Sequence, residues 1–151
     1  MAVLEVTGRE AADPIAAIEL CYSQGWTDGL PVIPPTDERV AAFLGQLQRG
    51  RDEVLGGVPE RRRWVSVEQV AANAVMAGCL PEYAPVVVAA VEAIVQPVFN
   101  LVGPSASLGG AGIFLVVNGP LVEQLHINCR NNLFGPGNRA NATIGRAIRL
   151  V

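Results

Sequence analysis

The chain has 151 residues, half of them hydrophobic and only 17% charged, with a formal charge of −3. That length fits a single domain over residues 1–151 with a real core, and the acidic balance excludes the basic face that a nucleic-acid partner requires. The charge content falls below the roughly 25% usual for soluble domains, so part of the surface is expected to be buried against a partner subunit or by self-association. A membrane is excluded as the partner, because the longest apolar run, residues 84–95, holds Glu92 and is edged by Pro85 and Pro97.

The opening stretch Met1–Gly8 has neither a basic segment nor a long apolar one, which gives no secretory signal and points to the cytoplasm. Asp13 is a good N-cap and Pro14 a good first residue for a helix that runs to Gly25. Trp26 to Thr36 follows as a proline-framed loop. Thr36 caps a second helix with Asp37 and Glu38 in its first turn, and Val40, Phe43, Leu44 and Leu47 form its apolar face. A glycine-rich loop through Gly56 and Gly57 comes next. Arg61–Arg63 reads as a solvated turn and Trp64–Val65 as a brief strand. Ser66 and Gln69 have the spacing of a capping box that opens a helix ending at Gly78.

Residues 86–95 have the length and alanine content of a buried helix, although their valines also suit a strand. Val98–Val102 and Ile113–Val117 read as buried strands, separated by a loop of small residues. Asn118-Gly119-Pro120 is a turn, and Leu121–Leu125 a single helical turn. Asn138 caps a last helix with Ile144, Ile148 and Val151 on one face. The pattern is an α/β fold, helices packed on a small sheet that a partner chain completes.

Four segments hold residues suited to chemistry. Gly135 to Arg146 places a helix start next to Arg139 and Arg146, seven residues apart on one face, where a carboxylate or phosphate could be held with Asn138; the plainer reading is a capped helix with surface arginines. His126 to Asn132 contains the sole histidine, Cys129 and Asn128. A thiol beside His or Arg can become a nucleophile, and an amide can orient a substrate. On an extended backbone His126 and Cys129 would face opposite ways, and a polar turn is the plainer reading. Cys79 lies between a helix end and the Pro81 helix start, where free N–H groups favour a thiolate. Glu82 and Tyr83 beside it form a candidate acid/base pair; the alternative is a buried structural thiol. Trp26 and Asp28 could line a pocket, or Asp28-Gly29 could be a simple turn. Cys21 sits on a helix face and reads as core. With three cysteines, no CxxC and one histidine, neither a disulfide framework nor a metal site on this chain is expected, and nothing specifies a cofactor.

The segments Trp26–Thr36, Met76–Tyr83 and Gly135–Arg146 together resemble a family of bacterial proteins associated with the UGSC (seleno)proteins, over roughly residues 20 to 151. The resemblance implies a thiol- or selenol-linked context. Longer members continue past a segment like Arg139–Val151, which implies that this chain corresponds to an N-terminal part or a split small subunit. Leu80 stands where the family pattern has arginine, and Cys129 where it has serine or another small residue.

The resulting expectation is a subunit of a heteromeric enzyme acting on a small anionic substrate by thiol-dependent lyase, acyl or redox chemistry. Cys79, Cys129, Glu82 and His126 are its candidate catalytic groups, and Trp26, Asp28, Asn128, Asn138, Arg139 and Arg146 its candidate substrate ligands. The alternative is a non-catalytic subunit that stabilises a partner chain.

Overall fold

The computed structural model describes residues 4–6, 9–11 and 13–151; the opening stretch read above for a leader lies largely outside them. It is a mixture of helices and two small antiparallel hairpins. Strands β1 (Leu4–Val6) and β2 (Arg9–Ala11) form the first hairpin, and β3 (Val54–Val58) and β4 (Arg63–Ser66) the second. Seven helices are described: α1 (Pro14–Ser23), α2 (Asp37–Leu44), α3 (Val67–Ala77), α4 (Ala84–Ile94), α5 (Val102–Ala106), α6 (Leu121–Gln124) and α7 (Arg139–Leu150).

Local chemistry sets the helix ends. The Asp13 carboxylate accepts the Ala16 N–H at 2.9 Å, with Pro14 in the first turn. Ser66 and Gln69 make both halves of the capping box. Gly78 takes a left-handed φ of 93°, which lets the N–H groups of Gly78 and Cys79 close back on Val75 and Ala74. Thr36 does stand at the start of α2, but its side chain makes no capping bond.

The helices pack chiefly on one another rather than across a sheet. α3 is central, against α2, α4 and α7. Val40 and Phe43 of α2, Val70 and Ala74 of α3, Val87 and Val91 of α4, and Ile144 and Ile148 of α7 share one core. A smaller cluster joins Ala17 and Cys21 of α1, Val32 of the proline-framed loop and Met76 of α3. The loop itself is anchored where the Ile33 N–H donates to the Met76 carbonyl at 3.1 Å.

Three expectations about extended structure are corrected. Gly56 and Gly57 lie within β3, paired with Val65 and Trp64 across a bulge, and not in a loop. Val98–Val102 is no strand: Pro97 opens a tight turn over Pro97–Phe99 and α5 begins at Val102. Ile113–Val117 is unpaired and largely exposed, with Phe114 at 70%. No described strand offers its edge to either segment, and extended backbone without a ladder partner has nothing to bury its polar groups against. Among the described residues no helix is long and apolar enough to cross a membrane.

Candidate functional site

α7 brings the candidate segments together, each docked by polar side chains of the helix or its N-cap. The loop 126–137 is fastened by asparagines. Asn138 Oδ1 accepts the Asn141 N–H at 2.9 Å, and its amide donates to the His126 carbonyl at 2.7 Å. Asn141 pairs reciprocally with the backbone of Asn128, both bonds 2.9 Å, and donates a further bond to the Leu133 carbonyl at 3.1 Å. Asn128 bridges within the loop, from the Arg130 N–H to the Asn131 carbonyl. The amides of Asn128 and Asn138, expected to meet a substrate, are therefore occupied by the protein. The N-terminal N–H groups expected to receive an anion include one already capped by Asn138.

The loop and α6 wall a cleft of about 680 Å³ lined by Glu123, His126, Cys129, Arg130 and the turn Pro136–Asn138. His126 ends α6 with a left-handed φ of 53°. The His126 and Ile127 N–H groups bond back to the Glu123 and Val122 carbonyls, the closure that Gly78 makes at the end of α3. This kink breaks the alternation of an extended chain, so His126 and Cys129 line the same cleft. The side chains of Glu123, His126, Cys129 and Arg130 make no hydrogen bond with any described residue. Histidine is a costly occupant of a left-handed position. His126→Gly is expected to raise the unfolding free energy by about 1 kcal/mol, read as a higher urea midpoint. An unchanged or lower midpoint would show that the imidazole contributes packing that offsets its backbone strain.

The second candidate docks one residue further along α7. The Arg139 guanidinium donates twice to the Gly78 carbonyl, at 3.0 and 2.9 Å, closing the end of α3. Cys79 is buried. Burial pushes the thiol up to about 11, and the pull of Thr143 and Arg139 only partly opposes it. Burial thus works against the thiolate expected at the Pro81 turn. Tyr83 is buried and its phenol pushed up for the same reason, while Glu82 is exposed. Cys21 is buried, its thiol also raised by burial.

Arg146 docks the third segment. It grips Asp28 through Nε and Nη2 at 3.0 and 2.8 Å and donates to the Leu30 and Pro31 carbonyls at 3.2 and 3.0 Å. Their side chains are 19% and 16% exposed, and the guanidinium holds the Asp28 carboxyl down at about 2. Trp26 is half-buried against the smaller core. Arg139 and Arg146 do share a face of α7, but each guanidinium binds a different segment of the protein, and no single anion joins them. Sequence reading missed Asn141, whose signal is an amide three residues after the Asn138 cap. Among the described residues no three His, Cys, Asp or Glu side chains converge as metal ligands. No protein-family model, curated protein or solved structure matches the chain.

Proposed function

We propose that the chain is a subunit of an enzyme assembly that acts on a small anionic substrate at the cleft between α6 and the start of α7, with Cys129 as the reactive thiol. The observation that carries this reading is that Cys129, the only exposed cysteine of the three, shares that cleft with His126 and Arg130, whose side chains are uncommitted. Arg130 supplies a charge for the anion, and His126 a base for the thiol. The wall behind them is fixed by the asparagine bonds, which is the preorganisation a reactive site needs. The cleft is wide and open, so a second surface is needed to exclude water during chemistry. That need supports a subunit rather than a stand-alone enzyme.

The test is competitive alkylation at neutral pH with the label mapped to each cysteine. Cys129 should react well ahead of Cys21 and Cys79, and Cys129→Ser should abolish activity of the assembly. Full activity of Cys129→Ser would remove the thiol from the chemistry.

The reading of a non-catalytic subunit that stabilises a partner has an observation of its own. Residues 97–122 contain no charged side chain, and Val98, Leu108 and Phe114 within them are largely exposed. An exposed apolar stretch of this length without charge is the kind of surface a partner covers. The two readings separate on Cys129→Ser, which a scaffold tolerates.

A further inference from the structure

Between α2, α3 and α7 lies a second, smaller cavity of about 200 Å³. Its inner surface is built from the buried residues Phe43, Val75 and Cys79, with Ile33 and Leu80 beside them. Two exposed arginines, Arg39 of α2 and Arg139 of α7, stand at its rim, and no acidic residue lines it. Arg39 makes no hydrogen bond or ion pair with any described residue. Arg139 spends Nε and Nη2 on the Gly78 carbonyl, which fixes its plane and leaves the Nη1 protons unused.

We propose that this cavity is a binding site for a short-chain aliphatic monocarboxylate, with the carboxylate between Arg39 and Arg139 and the tail against Ile33, Val75 and Leu80. The site is separate from the Cys129 cleft and does not rest on it. Two guanidinium groups without a carboxylate partner attract an anion, and their planar donors match a carboxylate. The apolar interior asks for a tail, which inorganic anions lack. The volume lies below the range of pockets for drug-sized ligands, which restricts the tail to the size of butyrate or isovalerate. The Cys79 thiol, protonated at neutral pH because burial pushes it up to about 11, adds no charge to repel the ligand.

Isotope-labelled full-length chain titrated with isovalerate should show saturable amide shifts at Arg39, Gly78 and Cys79. Isoamyl alcohol, with the same tail and no charge, and inorganic phosphate, with charge and no tail, should each bind at least about tenfold more weakly. Arg39→Gln breaks no hydrogen bond or ion pair among the described residues and should weaken isovalerate by about tenfold while leaving the alcohol unchanged. Cys129→Ser should leave all three titrations as they are. Equal binding of acid and alcohol, phosphate binding as tightly as isovalerate, the absence of saturable shifts, or indifference of isovalerate to Arg39→Gln would each overturn the assignment.

Discussion

Asn141→Asp is expected to lower the unfolding free energy by about 3 kcal/mol, the loss of two donors to half-buried carbonyls at about 1–3 kcal/mol each. In the native chain the Asn141 amide donates to the carbonyls of Asn128 and Leu133 while its oxygen accepts the Asn128 N–H. A carboxylate keeps the acceptor and loses both donors, and it turns a negative charge toward two carbonyl oxygens. One effect runs the other way: an acidic side chain in the first turn of α7 gains about 0.3–1 kcal/mol from the helix dipole. The lost donors outweigh that gain. Asn141→Ala removes all three bonds without adding charge and should cost about 2 kcal/mol. Urea unfolding at neutral pH measures both. The loop should also loosen before the whole chain unfolds, seen as faster amide exchange at Asn128 and Arg130. A change in Asn141→Asp below about 0.5 kcal/mol, the range of an ordinary surface substitution, would mean that the loop holds its shape without this clasp.

The parts of the fold governed by neighbours in sequence were legible in it. Asp13-Pro14, Ser66 with Gln69, and Asn138 mark helix starts through bonds that close within three residues, and Gly78 marks a helix end. Residues 86–95 are mostly helical in α4 because their burial nearly surrounds the helix, which a run of valines and alanines permits. Segments that depend on distant partners were not legible. Ile113–Val117 has the composition of a buried strand, and composition does not say whether an edge is there to receive it. Gly56 and Gly57 suggested a loop because glycine is poor in strands, yet the bulge in β3 uses them.

The candidate site divides along the same line. His126, Cys129 and Arg130 lie close in sequence and line one cleft. The partners of Arg139 and Arg146 lie 61 and more than 110 residues away, beyond any local signal. Seven-residue spacing correctly placed both arginines on one face of α7, but spacing does not say whether a face meets solvent or protein. Asn138, Arg139, Asn141 and Arg146 all spend donors or acceptors on docking the segments 126–133, 78–79 and 28–31. The three unusual segments of the sequence are thus held along a single helix. Their unusual residues secure the fold, whereas the side chains of Arg39, Glu123, His126, Cys129 and Arg130 make no hydrogen bond with any described residue.

The clasp at the far end of α7 gives a second large effect and a pH dependence with a definite sign. Arg146→Ala is expected to destabilise the chain by about 2 kcal/mol, within the range for charged hydrogen bonds lost. The variant leaves the Asp28 carboxylate, only 16% exposed, without its guanidinium, and leaves the Leu30 and Pro31 carbonyls without a donor. Arg146→Lys should recover little, because a single ammonium cannot span both carboxylate oxygens and two carbonyls. Asp28 sits at about 2 in the folded chain and near 3.9 when unfolded. On acidification the unfolded chain therefore takes up its proton first. The contribution of Asp28 is fully present above about pH 5 and is lost as the pH falls through about 4 toward 2. In the native chain this group adds about 2 kcal/mol of acid sensitivity over that window. In Arg146→Ala the depression of Asp28 is released, so the variant should be less stable at pH 7 and its stability flatter between about pH 5 and 2. Urea midpoints for both proteins across that range make the comparison. Parallel curves, offset by a constant amount, would show that Arg146 acts through packing and the carbonyl bonds alone, and that its charge does not hold Asp28.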